Sequence, residues 1–271
     1  MRAGGRGDVL VLLGLALYAV PFFWQALTSV RPDAELLPLT RLLPSRLTLA
    51  HYEVVFRQSL MPRALVNSLG IALLSTLLAV GLGALAAYAL ARLPVRGRGA
   101  ILLGMIAATA FPQIATVSPL YLMMRTLGLR DTWVALVLAN ASFALPLVIW
   151  LLAGFIREIP RALEEAAAVD GAGRLATLRW VVLPLVAPGM ASAALLAFLF
   201  SWNEFLFAYQ LAGDEVATIT VYLPRLRSAI AELYGEIAAA SLLSVLPAVL
   251  FAWVMQRHLV QGITLGGGRE L

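Results

Sequence analysis

Six apolar runs decide what this chain can fold into. They lie at 9–30, 64–91, 100–124, 133–156, 185–211 and 237–260, and each is long enough to cross a bilayer, which takes about 20 helical residues. Inside hydrocarbon the backbone must satisfy its own N–H and C=O groups, and within one segment only a helix does so. The expected fold is therefore all-α: a polytopic membrane protein with six transmembrane helices forming one domain, 1–271. With 61% hydrophobic and 13% charged residues, the chain lies far from the balance of a soluble domain. Arg2 and Arg6 precede the first run as in a secretory signal. That run is too long for a signal's apolar core, however, and no small-x-small cleavage site ends it.

There is no cysteine and no lysine; all 20 basic residues are arginines. Disulfides and thiolate metal sites are thereby excluded, as is a phosphate-binding glycine loop ending in lysine. The arginines are scattered through short loops, which argues against a nucleic-acid surface and for a bilayer orientation signal. With the N-terminus inside, Arg2, Arg6, Arg92, Arg96, Arg98, Arg157, Arg161, Arg174, Arg179, Arg257 and Arg269 are cytoplasmic. Arg31, Arg41, Arg46, Arg57, Arg63, Arg125, Arg130, Arg225 and Arg227 are then outside. Eleven against nine is a small bias. The 92–98 turn and the 157–179 loop flank membrane ends directly, though, where the positive-inside rule acts best. Both termini are expected in the cytoplasm.

Catalysis has little to stand on. His51 lies in an outside loop and His258 at the end of the last span. Neither is placed to activate a serine or, without another ligand, to hold a metal. No catalytic residue, no metal and no bound cofactor is expected.

The loop 157–184 concentrates the polar information. Pro160 suits the start of a helix, and Arg161 to Val169 are mostly good helix formers. Asp170-Gly171 supplies the break, since glycine adopts the left-handed cap geometry. A second short helix is expected from about Arg174 to Val182, before Pro184 interrupts the backbone pattern. Ala166-Ala167-Ala168 has no bulk, so another protein's surface can approach closely.

Glu165-Ala166-Ala167, Gly171 six residues after the glutamate, then Val181 and Leu183-Pro184, resemble the EAA loop of ABC importer permeases. Asn67-Ser68-Leu69, the run Ala86-Ala87-Tyr88-Ala89-Leu90-Ala91-Arg92 and Phe200-Ser201-Trp202-Asn203-Glu204-Phe205 extend the resemblance over nearly the whole chain. It is similar above all to the second, six-span permease subunit of maltose- and trehalose-type carbohydrate importers. The resemblance implies a type I importer permease fold in a bacterial inner membrane, with 161–169 as a cytoplasmic coupling helix. Glu164, Glu165, Ala166, Ala167, Asp170, Gly171, Leu183 and Pro184 would dock a cytoplasmic ATPase. The implied partners are a homologous second permease, an ATPase dimer that holds ATP and magnesium, and an extracytoplasmic sugar-binding protein. The loop 212–235, with Asp214, Glu215, Arg225, Arg227 and Glu232, would reach toward that binding protein.

An ionisable group within a bilayer is costly and should face a cavity or a partner. Glu204 is the candidate, with Trp202, Asn203 and Tyr209 beside it. Carboxylates and amides suit sugar hydroxyls, and aromatic faces suit a pyranose ring. Gln113, Thr116 and Asn140 are further polar groups at depth, either lining a path or hydrogen-bonding between helices. Pro112, Pro119 and Pro146 hint at kinks in the same spans. No arginine lies deep in a span, which favours a neutral sugar over a phosphate-bearing cargo. Two other readings stand: an ABC permease for glycerol phosphate or amino acid, and a proton-coupled secondary transporter using Glu204.

Overall fold

The computed structural model describes residues 6–37, 42–57, 59–226 and 233–266. Arg2, Pro38, Arg41, Arg227, Glu232 and Arg269 lie outside these residues, as do the side chains of Arg6, Arg257 and His258. Every regular element among the described residues is helical. Five long helices are apolar enough to cross a membrane: α1 (Arg6–Ser29), α3 (Met61–Arg92), α6 (Trp133–Glu158), α12 (Tyr234–Gly266) and the continuous stretch Arg174–Trp202. α2 (Ala50–Arg57) is short, and Thr48 Oγ1 accepts from Ala50 N at its start.

Two of the six runs fold differently from a straight span. The third, 100–124, is a broken pair: α4 (Arg98–Thr109) and α5 (Gln113–Thr126) meet at 93°. The break falls where Pro112 lacks an N–H and disfavours helical geometry at Phe111. Pro119 and Pro146 sit inside α5 and α6. The fifth run is divided as well. α9 (Leu183–Trp202) ends at Trp202, and after Asn203-Glu204-Phe205 a short α10 (Leu206–Leu211) follows.

Pro184 does not interrupt the helix, contrary to expectation. α8 (Arg174–Thr177) passes into one π-helical turn, Leu178–Val182, and then directly into α9. Leu183 N donates five residues back to Leu178 O, and the wider turn admits a proline in the first turn of α9, where its missing N–H costs little. Helices α7 (Arg161–Val169) and α11 (Ile219–Arg225) complete the set.

The chain divides into two compact units. In the unit formed by Met1–Arg63 and Tyr222–Leu246, Tyr52 of α2 meets Ser29 at 2.8 Å and His51 is buried. The apolar side chains of α1 from Val9 to Phe23 are exposed, as suits a helix whose solvent is lipid or another membrane chain.

In the unit formed by Ala64–Val221 and Pro247–Leu271, α6 packs against α9 and α4, and α10 packs against α5 and α6. Val80, Ala87 and Leu90 of α3, Val148, Ile149 and Leu152 of α6, and Val182 and Val186 near Pro184 share one core. Glycines let the helices close. A Cβ on Gly83 would stand 2.6 Å from Val148, and one on Gly189 2.5 Å from Phe155. A Cβ on Gly81 meets nothing within 4 Å among the described residues, so of Gly81 and Gly83 it is Gly83 that makes the helix–helix contact.

Candidate functional site

α7 is nine residues long and none of them is buried. Pro160 stands one position earlier than expected, as the residue before the helix proper, and Asp170 closes it. Gly171 follows at φ +84°; its N–H donates to Ala168 O at 3.1 Å, and Ala172 N–H donates to Ala167 O at 2.9 Å. This pair of bonds is the Schellman arrangement, which needs a left-handed residue where Gly171 sits. The turn foreseen from Asp170-Gly171 is therefore present.

Successive helical residues step about 100° around the axis, and the two adjacent glutamates consequently face different ways. Glu165, Ala166, Ala168 and Asp170 are exposed, and Val169 is 87% exposed. Glu164 turns inward, its side chain only 14% exposed. Tyr88 OH donates to its Oε2 at 3.1 Å, and Arg92 Nε lies 2.5 Å from its Oε1 as an off-axis ion pair. Arg92 Nη2 also donates to Ile159 O at 2.6 Å, in the link between α6 and α7. Glu164, grouped by the sequence with the docking residues, is thus engaged within the chain. Leu183 packs on the core and Pro184 is exposed at the start of α9. Leu175 and Trp180 add exposed apolar surface near α7.

The second polar region surrounds the break between α9 and α10. Glu204 is buried, and both its oxygens cap α10: Phe207 N donates to Oε1 at 2.8 Å and Ala208 N to Oε2 at 3.0 Å. A carboxylate belongs at such a helix start, where free N–H groups and the helix dipole favour negative charge. Trp202 is also buried, stacked on Phe198 at 5.7 Å, and Phe198 stacks on Phe251 at 4.0 Å. Trp202 and Glu204 therefore hold the helix break together rather than offering free groups to a cargo. A proton carrier needs a carboxylate free to exchange its proton, and Glu204 is committed to two backbone amides.

The other residues of the expected path differ in exposure. Asn203 is exposed, and Tyr209, 65% exposed, stacks on Phe205 with centroids 5.4 Å apart. Asn140 is buried; its Nδ2 donates to Ser201 Oγ at 2.8 Å, and its Oδ1 has no partner among the described residues. Gln113 lines a cavity of about 240 Å³ at the α4–α5 break, with Thr109, Phe143, Leu196 and Phe200. Thr116 Oγ1 donates to the Gln113 carbonyl at 2.7 Å.

Three arrangements were not legible beforehand. Asn67 Nδ2 donates to Glu215 O and Ala217 O, its Oδ1 accepts from Trp133 Nε1 at 3.0 Å, and Ser68 Oγ accepts from Ile219 N at 2.8 Å. Asp131, in a left-handed conformation at φ +56°, accepts from Gly213 N at 2.7 Å and Val216 N at 3.2 Å. Separately, Asp33, His51 and Glu236 bring potential ligand atoms within 4.8 Å of one another. His51 thus has the companions that the sequence did not reveal. Its Nε2 lies 2.8 Å from Arg31 O, and a Cβ on residue 235 would collide with its ring.

Membrane-length helices, a first helix whose apolar side chains from Val9 to Phe23 are exposed, and a short capped helix tied to α3 define a membrane-spanning subunit. The chain belongs to the family described as the binding-protein-dependent transport system inner membrane component, whose model matches residues 79–265. Its relatives are ABC transporter permeases. It is 41% identical over 262 residues to the trehalose transport system permease protein SugB of Mycobacterium tuberculosis, covering 96% of this chain and 94% of that one. It is 35% identical to the trehalose/maltose transport system permease protein MalG of Thermococcus litoralis, covering 98% of each. Among solved structures, a chain of a bacterial ABC transporter involved in the import of the acidic polysaccharide alginate superposes with a TM-score of 0.79. That match has 24% identity and covers 95% of this chain and 99% of that one, so it speaks to the fold.

Proposed function

We propose that this chain is one of two permease subunits of an ATP-driven importer for a neutral di- or oligosaccharide, with α7 as the helix that docks the ATPase. The observation that carries the reading is the divided face of α7: Glu165, Ala166 and Val169 outward, Glu164 inward, and a glycine cap holding the turn. An exposed carboxylate beside residues without bulk suits a cleft containing an arginine, and such a pair sets register more than affinity. ATP hydrolysis then takes place on the partner, and this chain supplies alternating access. The surface of α7 and both termini face the cytoplasm in this reading, in keeping with the arginines that flank it. Similarity to trehalose and trehalose/maltose permeases supports a sugar cargo. Gln113, Thr116, Asn140, Asn203 and Tyr209 are the side chains assigned to its path.

The test is purification of the tagged chain in mild detergent with identification of its companions. Recovery of an ATPase, a second permease and a sugar-binding protein is expected, and Glu165→Arg should lose the ATPase while still inserting. Recovery of the chain alone, with uptake that follows the proton gradient, would refute the proposal.

A further inference from the structure

α3 makes polar contacts at both of its ends and, apart from Ser75 Oγ to Val137 O, apolar ones along its length. At its C-terminal end Arg92 and Tyr88, one turn apart, share the two oxygens of Glu164, and Arg92 also holds Ile159 O. Near its N-terminal end Asn67 takes up Glu215 O and Ala217 O, and Ser68 takes up Ile219 N. From Asn67 to Arg92 the helix is continuous, and 25 residues at 1.5 Å each span about 37 Å. Between the ends it is seated closely on α6, with no room for a Cβ at Gly70 against Trp133 or at Gly83 against Val148. A rigid helix gripped at both ends is the kind of contiguous element that can carry coupling across such a distance.

We infer that α3 is the rod through which α7 and the 215–219 segment sense each other, with Glu164 and Arg92 as positioning residues at one end and Asn67 and Ser68 at the other. The inference rests on α7 being the ATPase-docking helix. Glu165 then binds the partner and Glu164 passes its movement inward. α7 also touches α8 and the π-turn that leads into α9; Glu164 is its polar tie to α3. Arg92 and Glu164 are nearly enclosed, and a pair of this kind resists being pulled apart because separation would leave a buried charge unpaired.

Elements in series have a signature. Breaking either end uncouples the rod, and breaking both adds nothing, whereas independent sites this far apart have additive free-energy effects. The experiment uses the complete transporter in proteoliposomes with Glu164→Gln, Ser68→Ala and the double variant. Glu164→Gln removes the charge but leaves an acceptor for Tyr88; Ser68→Ala removes one hydrogen bond. Each single variant should lower uptake roughly tenfold, a coupling of ordinary size, with the ATPase still co-purifying. The double variant should match the singles instead of falling roughly a hundredfold. The neutral pair Arg92→Met/Glu164→Gln, which leaves no charge unpaired, should assemble and stay slow; wild-type uptake in it would make the pair a stability element only. Additive loss in the double variant, or loss of the ATPase from the Glu164→Gln complex, would overturn the rod. Absence of an ATPase from the wild-type complex would instead overturn the docking role of α7.

Discussion

The cap of α7 can be tested through its backbone alone. Gly171 holds φ +84°, and a Cβ built there meets nothing within 4 Å among the described residues. Substitution therefore costs conformational energy and no steric clash. For an ordinary L-residue the left-handed region costs about 1–2 kcal/mol; asparagine tolerates it better, and a β-branched residue worse. A nine-residue helix is shorter than the ~12–15 residues at which isolated helices become even marginal, so α7 depends on its cap. A loss of about 1–2 kcal/mol lowers the population of the capped turn about 5–30-fold, and apparent affinity for a partner falls with the competent fraction. Titration of the ATPase onto the permease pair in nanodiscs should rank the variants Gly171, Asn, Ala, Val, from tightest to weakest. The ranking follows φ tolerance and not size or polarity. If Asn binds as weakly as Val, or Val as tightly as Gly, the reasoning from the left-handed cap is wrong.

Two further outcomes separate packing from chemistry. Gly83→Ala should destabilise the chain by about 1–3 kcal/mol, since Val148 stands where the methyl would go. Gly81→Ala, two residues away and unobstructed, should be neutral or stabilising by a few tenths to about 1 kcal/mol; equal melting temperatures for the two in detergent would contradict the α3–α6 seating. Glu204→Gln leaves one of the Phe207 and Ala208 amides without its acceptor, a loss of about 1–3 kcal/mol visible as a lower melting temperature. Uptake per folded transporter should keep its dependence on ATP, and a switch of the driving force would restore Glu204 to the mechanism.

The spans, the helical class and the α7 turn were legible in the sequence because each is a local matter. A run of apolar residues in lipid has one way to satisfy its backbone, and a left-handed cap one preferred residue. The exposed face of α7 was half legible: the EAA spacing marks the loop, and only the rotation between Glu164 and Glu165 tells which carboxylate is exposed. The third span shows the limit of local reading. Pro112 signals a break, but helices carry prolines at 119 and 146 without one. Whether a proline kinks a span or parts it into helices at 93° depends on what packs against each half.

Glu204 makes the same point from the other side. A carboxylate in an apolar run reads as a cargo or proton site until the chain turns at Asn203 and places two free amides over it. Pairings between residues far apart in sequence, such as Arg92 with Glu164, Asn67 with Ala217 and Asp131 with Gly213, leave no periodic trace. They exist because helix packing brings the groups together, and distance along the chain carries no record of that. By itself the sequence determined that this is a helical membrane permease and where the glycine-capped turn after α7 lies. The tertiary structure decided which polar groups hold the helices in place and which remain free to meet another molecule, because in a close-packed bundle a polar side chain's role is set by the partners within its reach.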